Sequence, residues 1–420
     1  MPLNPEVGRP SSLTICHLGK FYPPATGGIE THVQTLARAQ AALGARVHVV
    51  CVNHEAPNGH DVTWRTAART LHLEERDGDV RVTRLGRLAS VSRLDVCPSL
   101  LEALVEVRRA GVDIVHVHAP NPTMFLALAL VPPNAPVVVT HHSDVVKQRV
   151  LGIAYGTVER LIHRRAALVL SDSEPYIAGS PALRRLGGKV RSLPLGLDLT
   201  PFQDPSPAAL AYAAHLREEN GEPLWLCVGR LVYYKGLRNA VDALADTPGR
   251  LLVVGRGPLS EDLKAHARAR GVDGRITWAD YLDADELVGA YHAATALWFP
   301  SNARSEGFGL AQVEAMASGC PVINAAVPDS GVSWVSMHDE SGLTFPVDDA
   351  AALAAAARRV AADPALRARL SDGARLRARR EFDHMVMARR SLALYDDILG
   401  RAGGARVRDR SVHEPRSSWA

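Results

Sequence analysis

Residues 299–320 read FPSNARSEGFGLAQVEAMASGC. The apolar run Ala296 to Phe299 spells a short buried strand, stopped by Pro300 and a polar loop. Leu310, Val313 and Ala317 then recur at helical spacing until Gly319 ends the helix. Strand, glycine loop and helix N-terminus in that order turn free backbone N–H groups and a positive dipole end toward an anion, for which phosphate is a common guest. The stretch also carries two carboxylates, Glu306 in the loop and Glu314 inside the helix. Taken alone, both have ordinary explanations, as a solvated loop carboxylate and a polar helix face.

The same unit repeats outward from this stretch. Upstream of it, strands are expected at 224–228, 251–254 and 275–278, with helices after Gly236, at 261–268 and at 286–293; a strand at 322–324 follows. Earlier still come strands at 13–18, 46–52, 80–85, 113–117, 137–140, 168–170 and 190–193, with helices at 29–43, 100–110 and 123–131 and a helical stretch to His163. Strand and helix in alternation mean a parallel sheet covered on both faces. The fold class is therefore α/β, with two Rossmann-like parallel-sheet domains facing across a cleft where ligands of open sheets bind. The expected division is a first domain at 13–195, a turn-rich linker and hinge at 196–222, a second domain at 223–380, a helix at 381–400 packing back on the first domain, and a polar, disordered tail at 401–420.

Bulk properties bound the function. A chain of 420 residues exceeds one ordinary core, and 47% hydrophobic with 22% charged residues is a globular composition. The net charge of +3 and 5% aromatic content lack the basic, aromatic-lined groove of a nucleic-acid binder, so no nucleic-acid partner is expected. The late arginines, from Arg358 to Arg416, read as solvated helix faces, with peripheral contact to an anionic membrane as the other reading. Cys16, Cys51, Cys97, Cys227 and Cys320 form no CxxC pair and sit among apolar neighbours, as small buried residues in a reducing compartment do. With no secretory apolar core at the N-terminus and no apolar run long enough to span a bilayer, the expected location is the cytoplasm, if need be on the inner face of the membrane.

Several constellations could carry chemistry. CVGRLVYYKGL places Arg230 and Lys235 in the loop after the second domain's first strand, two cations suited to a diphosphate. VVGRGPLS sets Gly255 and Gly257 after a strand, but Ser260 stands where a dinucleotide fingerprint has its third glycine; a base or ribose lying against the loop fits better. Gly27 and Gly28 precede a helix, either for close backbone approach to a ligand or as a tight turn. His116 and His118 share one side of a strand, with His118 expected to look into the cleft and His116 to be packed. THHSD adds His141, His142 and Asp144 at the next strand end. Eleven of the 17 histidines precede residue 164, which keeps a metal reading open, but a cluster of histidines is not by itself a ligand set and no metal is expected. Asp77 to Asp79 reads as a turn and Asp283 to Asp285 as a helix cap rather than a Mg-nucleotide site. Neither a GxSxG elbow nor a Walker loop is present.

Four motifs in order, PPATGGIETHV, DIVHVHAPNP with VVVTHHSD, GRLVYYKG and EGFGLAQVEAMASGCPVI, resemble the family 4 glycosyltransferases of GT-B fold over about residues 13–400. The resemblance implies that Arg230 and Lys235 grip the donor diphosphate, that Glu306 hydrogen-bonds the donor sugar, and that Glu314 holds the ribose hydroxyls. It implies further that the backbone at Phe308, Gly309 and Leu310 meets sugar and phosphate, that Gly27 and Gly28 complete the diphosphate pocket, and that His118 lies near the transferred sugar. Asp280 stands where the family usually has glycine. The implied activity is retaining, metal-independent transfer of a hexosyl group from a nucleoside-diphosphate sugar to a glycan or lipid-linked acceptor, with GDP-mannose suggested by similarity to surface-polysaccharide enzymes. No cofactor beyond the donor is implied. The alternatives are a nucleotide-sugar epimerase on the same fold and a non-catalytic nucleotide-sugar-binding scaffold.

Overall fold

The computed structural model describes residues 13–25, 27–54, 72–91, 94–142 and 151–400. Asp144 and the tail expected at 401–420 lie outside them. The first half of the chain runs through β1 (Thr14–Leu18), β2 (Arg46–Val52), β3 (His72–Asp77), β4 (Val80–Leu85), the small antiparallel pair β5 (Ala89–Val91) and β6 (Leu94–Val96), then β7 (Ile114–Ala119), β8 (Val137–His141), β9 (Leu168–Ser171) and β10 (Val190–Ser192). All but β5 and β6 join one sheet in the order β10-β9-β8-β7-β1-β2-β4-β3. The central strands β1 and β7 are buried along nearly their whole length because helices cover both faces, so even their histidines lie inside. β3 departs from the expected alternation: it pairs antiparallel with β4 at the sheet edge, across the Asp77–Gly78 turn. Its sequence, HLEERD, has no apolar period, as suits an edge strand blunted by charge.

The second half contains β11 (Leu224–Val228), β12 (Arg250–Val254), β13 (Ile276–Ala279), β14 (Ala296–Phe299), β15 (Val322–Ala325) and β16 (Gly342–Phe345). They lie all parallel in the order β13-β12-β11-β14-β15-β16, the doubly wound arrangement whose order reverses between β11 and β14. Trp225 on β11 stacks on Trp298 of β14 with centroids 5.1 Å apart, anchoring this core at the reversal. Each such buried aromatic contributes about 1.5–3 kcal/mol of burial free energy.

Of the segment 196–222, Pro207–Asn220 is a helix whose Ala209, Ala213 and Leu216 sit in the second core. The crossing itself is narrow: the Leu197 amide donates to the Phe382 carbonyl (2.9 Å) and the His384 amide to the Leu197 carbonyl (3.0 Å). Chain leaving the first domain and chain returning to it are thus tied together. Three helices end the described chain, Ala350–Ala362, Pro364–Glu381 and His384–Ile398. Asp363 and Asp383 cap the last two, so the breaks at Pro364 and Phe382 are set by local chemistry. The last helix places Met387, Ala388, Leu392 and Tyr395 in a core shared with β1, β2 and the helix Gly28–Ala42. The five cysteines are free and buried, and burial pushes the Cys16, Cys51, Cys97, Cys227 and Cys320 thiols up to about 12. Among the described residues no helix is long and apolar enough to cross a membrane.

Candidate active site

Open α/β sheets bind ligands where the strand order reverses, beyond the C-terminal strand ends. In the second sheet that point lies between the loop after β11, which carries Arg230 and Lys235, and the loop after β14, which carries Glu306. Gly236 brings the two loops together. Its φ of 62° is in the left-handed region, and a Cβ there would lie 2.0 Å from the Pro300 carbonyl oxygen. As a result the Lys235 ammonium meets the Glu306 carboxylate at 2.5 Å and lies 4.8 Å from the centre of the Phe299 ring. Ser301 Oγ donates to the same Glu306 oxygen at 3.3 Å. Glu306 is only 9% exposed, and Lys235 is its ion-pair partner. Arg230 is exposed beside them.

Glu314 is half-buried one helix turn further in and accepts a 2.6 Å hydrogen bond from the Tyr291 hydroxyl. Burial raises its pKa, while Tyr291 and the charge of Lys235 hold it down. Glu306 and Glu314 therefore have different partners and different environments. The Phe308 side chain points into the core, edge-on to Phe382 at 5.5 Å, and its carbonyl accepts from Gln312. What this segment offers a ligand is the start of the helix Leu310–Ser318, which opens on left-handed Gly309 (φ 83°) with no side-chain cap. The helices Gly28–Ala42 and Leu237–Ala245 likewise open on glycine, Gly27 and Gly236, with no side-chain cap. By contrast, Asn121, Ser206, Asp283, Asp349, Asp363 and Asp383 cap helices elsewhere. Uncapped first-turn amides are chemically able to bind an anion.

The structure gives Gly255 and Gly257 a packing reason. A Cβ on Gly255 (φ 140°) would lie 2.0 Å from the Gly229 carbonyl oxygen, and one on Gly257 would lie 2.2 Å from that of Leu231. These glycines let the loop after β12 close on the loop after β11, where the Leu231 amide donates to the Arg256 carbonyl at 2.9 Å. Asp280, at the family's glycine position, pairs with exposed Arg256 at 3.5 Å.

In the first sheet the order reverses between β1 and β7. Gly27 and Gly28 follow β1, and His118 is next to last in β7. The Glu30 carboxylate folds back over Gly27, where a Cβ would meet its Oε2 at 2.2 Å, whereas Gly28 faces open space. His118 corrects an expectation: it is 1% exposed rather than open to the cleft, because the rings of His32 and His142 cover it. His142, half-buried, is the outer ring. His116 is packed, with its Nε2 2.6 Å from Thr140 Oγ1 and its Nδ1 2.7 Å from the Tyr395 hydroxyl.

A chain of hydrogen bonds fixes the protons on this cluster. Gln40 Nε2 donates to Ser391 Oγ (2.9 Å) and the Tyr395 hydroxyl (3.3 Å), so its Oε1 accepts from His17 Nε2 at 2.7 Å. Burial lowers His17 to about 4 and keeps it neutral, leaving its Nδ1 to accept from His118 Nε2 at 3.1 Å. His118, also held neutral by burial, then bears its bare lone pair on Nδ1, 3.4 Å from His142 Nε2. The tautomers are assigned from this pattern of partners.

Sequence patterns did not single out the groups joining the two domains here. Arg304 lies over the Tyr176 ring at 4.1 Å and donates to the Tyr176 and Asp329 carbonyls. Asp172 sits against Gly307, where a Cβ would approach its Oδ2 to 3.3 Å; burial raises its pKa to about 7. For Asp172 and Tyr176 the only available signal was their position after β9, and an SDSEP stretch has an ordinary turn reading.

Two family profiles match in tandem: one described as Glycosyltransferase Family 4 over residues 26–201 and one described as Glycosyl transferases group 1 over residues 211–377. A D-rhamnosyltransferase of Pseudomonas aeruginosa is 30% identical over 82% of this chain and 86% of its own. The O-antigen chain mannosyltransferase C of Escherichia coli is 27% identical over 92% of this chain and 99% of its own. Among solved structures, a sucrose-phosphate synthase of Thermosynechococcus elongatus superposes with a TM-score of 0.70 at 27% identity, covering 93% of this chain and 100% of that one. HepE of Anabaena in complex with UDP does so with a TM-score of 0.69 at 19% identity, covering 92% and 100%, a likeness of fold. With both halves of the chain matched in order and the strand reversals carrying the motifs, the protein belongs to the family 4 glycosyltransferases and has the GT-B fold.

Proposed function

We propose that the protein transfers a hexosyl group from a nucleoside-diphosphate sugar to a hydroxyl of a glycan or lipid-linked acceptor, with retention of configuration and without a metal at the diphosphate. The observation that carries this reading is the Lys235–Glu306 pair at the strand reversal, with helix starts opening on Gly236 and Gly309 beside it. Lys235 uses one of its three donors on Glu306, which leaves two for a diphosphate oxygen. As the bond from sugar C1 to phosphate oxygen breaks, negative charge gathers on the leaving diphosphate. Lys235, exposed Arg230 and the amides at the helix starts answer that charge, the role that a Lewis acid fills in other transferases. On this reading Glu306, paired with Lys235, accepts from sugar hydroxyls, and Glu314, held by Tyr291, accepts from the ribose. Neither is assigned a covalent role: the leaving phosphate oxygen takes the acceptor proton on the face it departs from. The names of the relatives, a D-rhamnosyltransferase and an O-antigen mannosyltransferase, favour surface polysaccharide as the product and GDP-mannose as the first donor to try.

The test is release of free nucleotide from a panel of UDP-, GDP- and ADP-sugars, with and without lipid-linked acceptor. Lys235→Ala is expected to lower turnover by roughly 10²–10³-fold. Arg230→Ala, at an exposed position, should lower it without disturbing the fold. Turnover near normal in both variants refutes the leaving-group assignment, and strong inhibition by a chelator refutes its metal independence.

A further inference from the structure

We propose that His32, His118 and His142 form a binding site for one divalent transition cation of the zinc class. The three rings come from separate elements that meet at the C-terminal end of the first sheet. His32 lies in the second turn of the helix Gly28–Ala42, His118 is next to last in β7, and His142 follows β8.

Their geometry is that of a tris-imidazole site. One nitrogen from each ring can be chosen so that all lie within 4.8 Å of one another. The ring centroids are 4.9 Å (His32–His142), 5.5 Å (His32–His118) and 5.6 Å (His118–His142) apart. A tetrahedral ion with zinc-length bonds of about 2.0–2.1 Å holds imidazole centroids roughly 5.2 Å apart and ligand nitrogens about 3.3 Å apart. His118 Nδ1 and His142 Nε2 already stand at 3.4 Å.

Hydrogen bonding points the same way. His32 is 3% exposed, yet neither of its ring nitrogens has a hydrogen-bond partner. Leaving such a group unanswered is costly, and a cation would answer its lone pair. The chain through His17 and Gln40 places the proton of His118 on Nε2 and its lone pair on Nδ1, toward His142. This is the outer-shell arrangement that orients histidine ligands in metal sites.

The neighbouring histidine groups have more of their ring nitrogens already engaged. In His17–His116–His118, both nitrogens of His17 and of His116 are engaged in hydrogen bonds. In His141–Glu159–His163, His163 Nδ1 is bonded to the Glu159 carbonyl. Three nitrogen donors select zinc-like ions over magnesium, which prefers oxygen ligands, so this site is separate from any metal role at a diphosphate. A cation on Nδ1 withdraws that lone pair from the cleft. If His118 serves a donor sugar, which rests on the function proposed above, the two uses exclude each other; the binding test is independent of that reading.

The untagged full chain, stripped with chelator and dialysed, is titrated with ZnCl2 by calorimetry and with CoCl2 by visible absorption. The expected result is one zinc per chain, the intense visible bands of four-coordinate cobalt, and no heat with MgCl2. His32→Ala should weaken zinc binding by roughly 100-fold or more. His142→Asn, at a half-buried position, should do the same and serves if His32→Ala fails to fold. No zinc binding by the wild type, or binding unchanged in His142→Asn and in folded His32→Ala, overturns the proposal.

Discussion

Asp172 shows how one buried carboxyl couples the domain contact to pH. It is 4% exposed, its Oδ1 has no hydrogen-bond partner, and burial raises its pKa from 3.8 to about 7. A folded-state pKa above the unfolded value means that its contribution to stability is full below about pH 4 and is lost as pH rises through about 7. Asp172→Asn removes the charge at nearly constant shape. Relative to wild type, the variant should gain stability between pH 5 and pH 8, by an amount on the order of a few kcal/mol. Urea denaturation at both pH values measures it, and a difference independent of pH would contradict the assignment. Lys235 and Glu306 differ from it in having each other: there the buried carboxylate meets a cation at 2.5 Å.

Among the elements, the glycine-opened helices and the loops before them separate backbone need from ligand need. Gly255 has φ 140° and a Cβ position 2.0 Å from the Gly229 carbonyl oxygen, so Gly255→Ala must push apart the loops after β11 and β12. A loss of about 1–3 kcal/mol is expected, read as a fall in Tm. Gly28 meets nothing within 4 Å, so Gly28→Ala should leave Tm nearly unchanged. If the Gly27–Gly28 loop receives the diphosphate, the same Gly28 variant raises the donor KM. A normal KM in the folded Gly28→Ala protein would remove that loop from the donor site.

The whole molecule is held by a helix from the far end of the chain. His384–Ile398 lies on the first domain, with Met387 fully buried against Gly196 and Tyr395 bonded to His116. Met387→Ala therefore creates a cavity in the first domain's core although the residue follows the second domain in sequence. It should cost about 2–5 kcal/mol. Hydrogen exchange is expected to quicken in β1, β2 and the helix Gly28–Ala42; quickening confined to residues 384–398 would show that the helix does not support that core.

The sequence by itself determined the elements whose cause is local. The strands at 46–52, 80–85, 224–228 and 296–299 follow from apolar runs bounded by breakers, and Asp283 caps its helix with Glu286 in a reciprocal pair. It also named the residue types at both strand reversals, because a loop after a strand and a glycine before a helix leave a local trace. Only the tertiary structure decided what meets what. The charged edge strand β3 and the short β16, which opens on Gly342, are strands because of their neighbours and not their period. Lys235 reaches Glu306 across two loops, His118 is covered rather than open, and Asp172 lies under the glycine loop of the other domain. Most telling are His32, His118 and His142: their spacing along the chain carries no metal signature, since no periodicity encodes the convergence of a helix and two parallel strands at one sheet end.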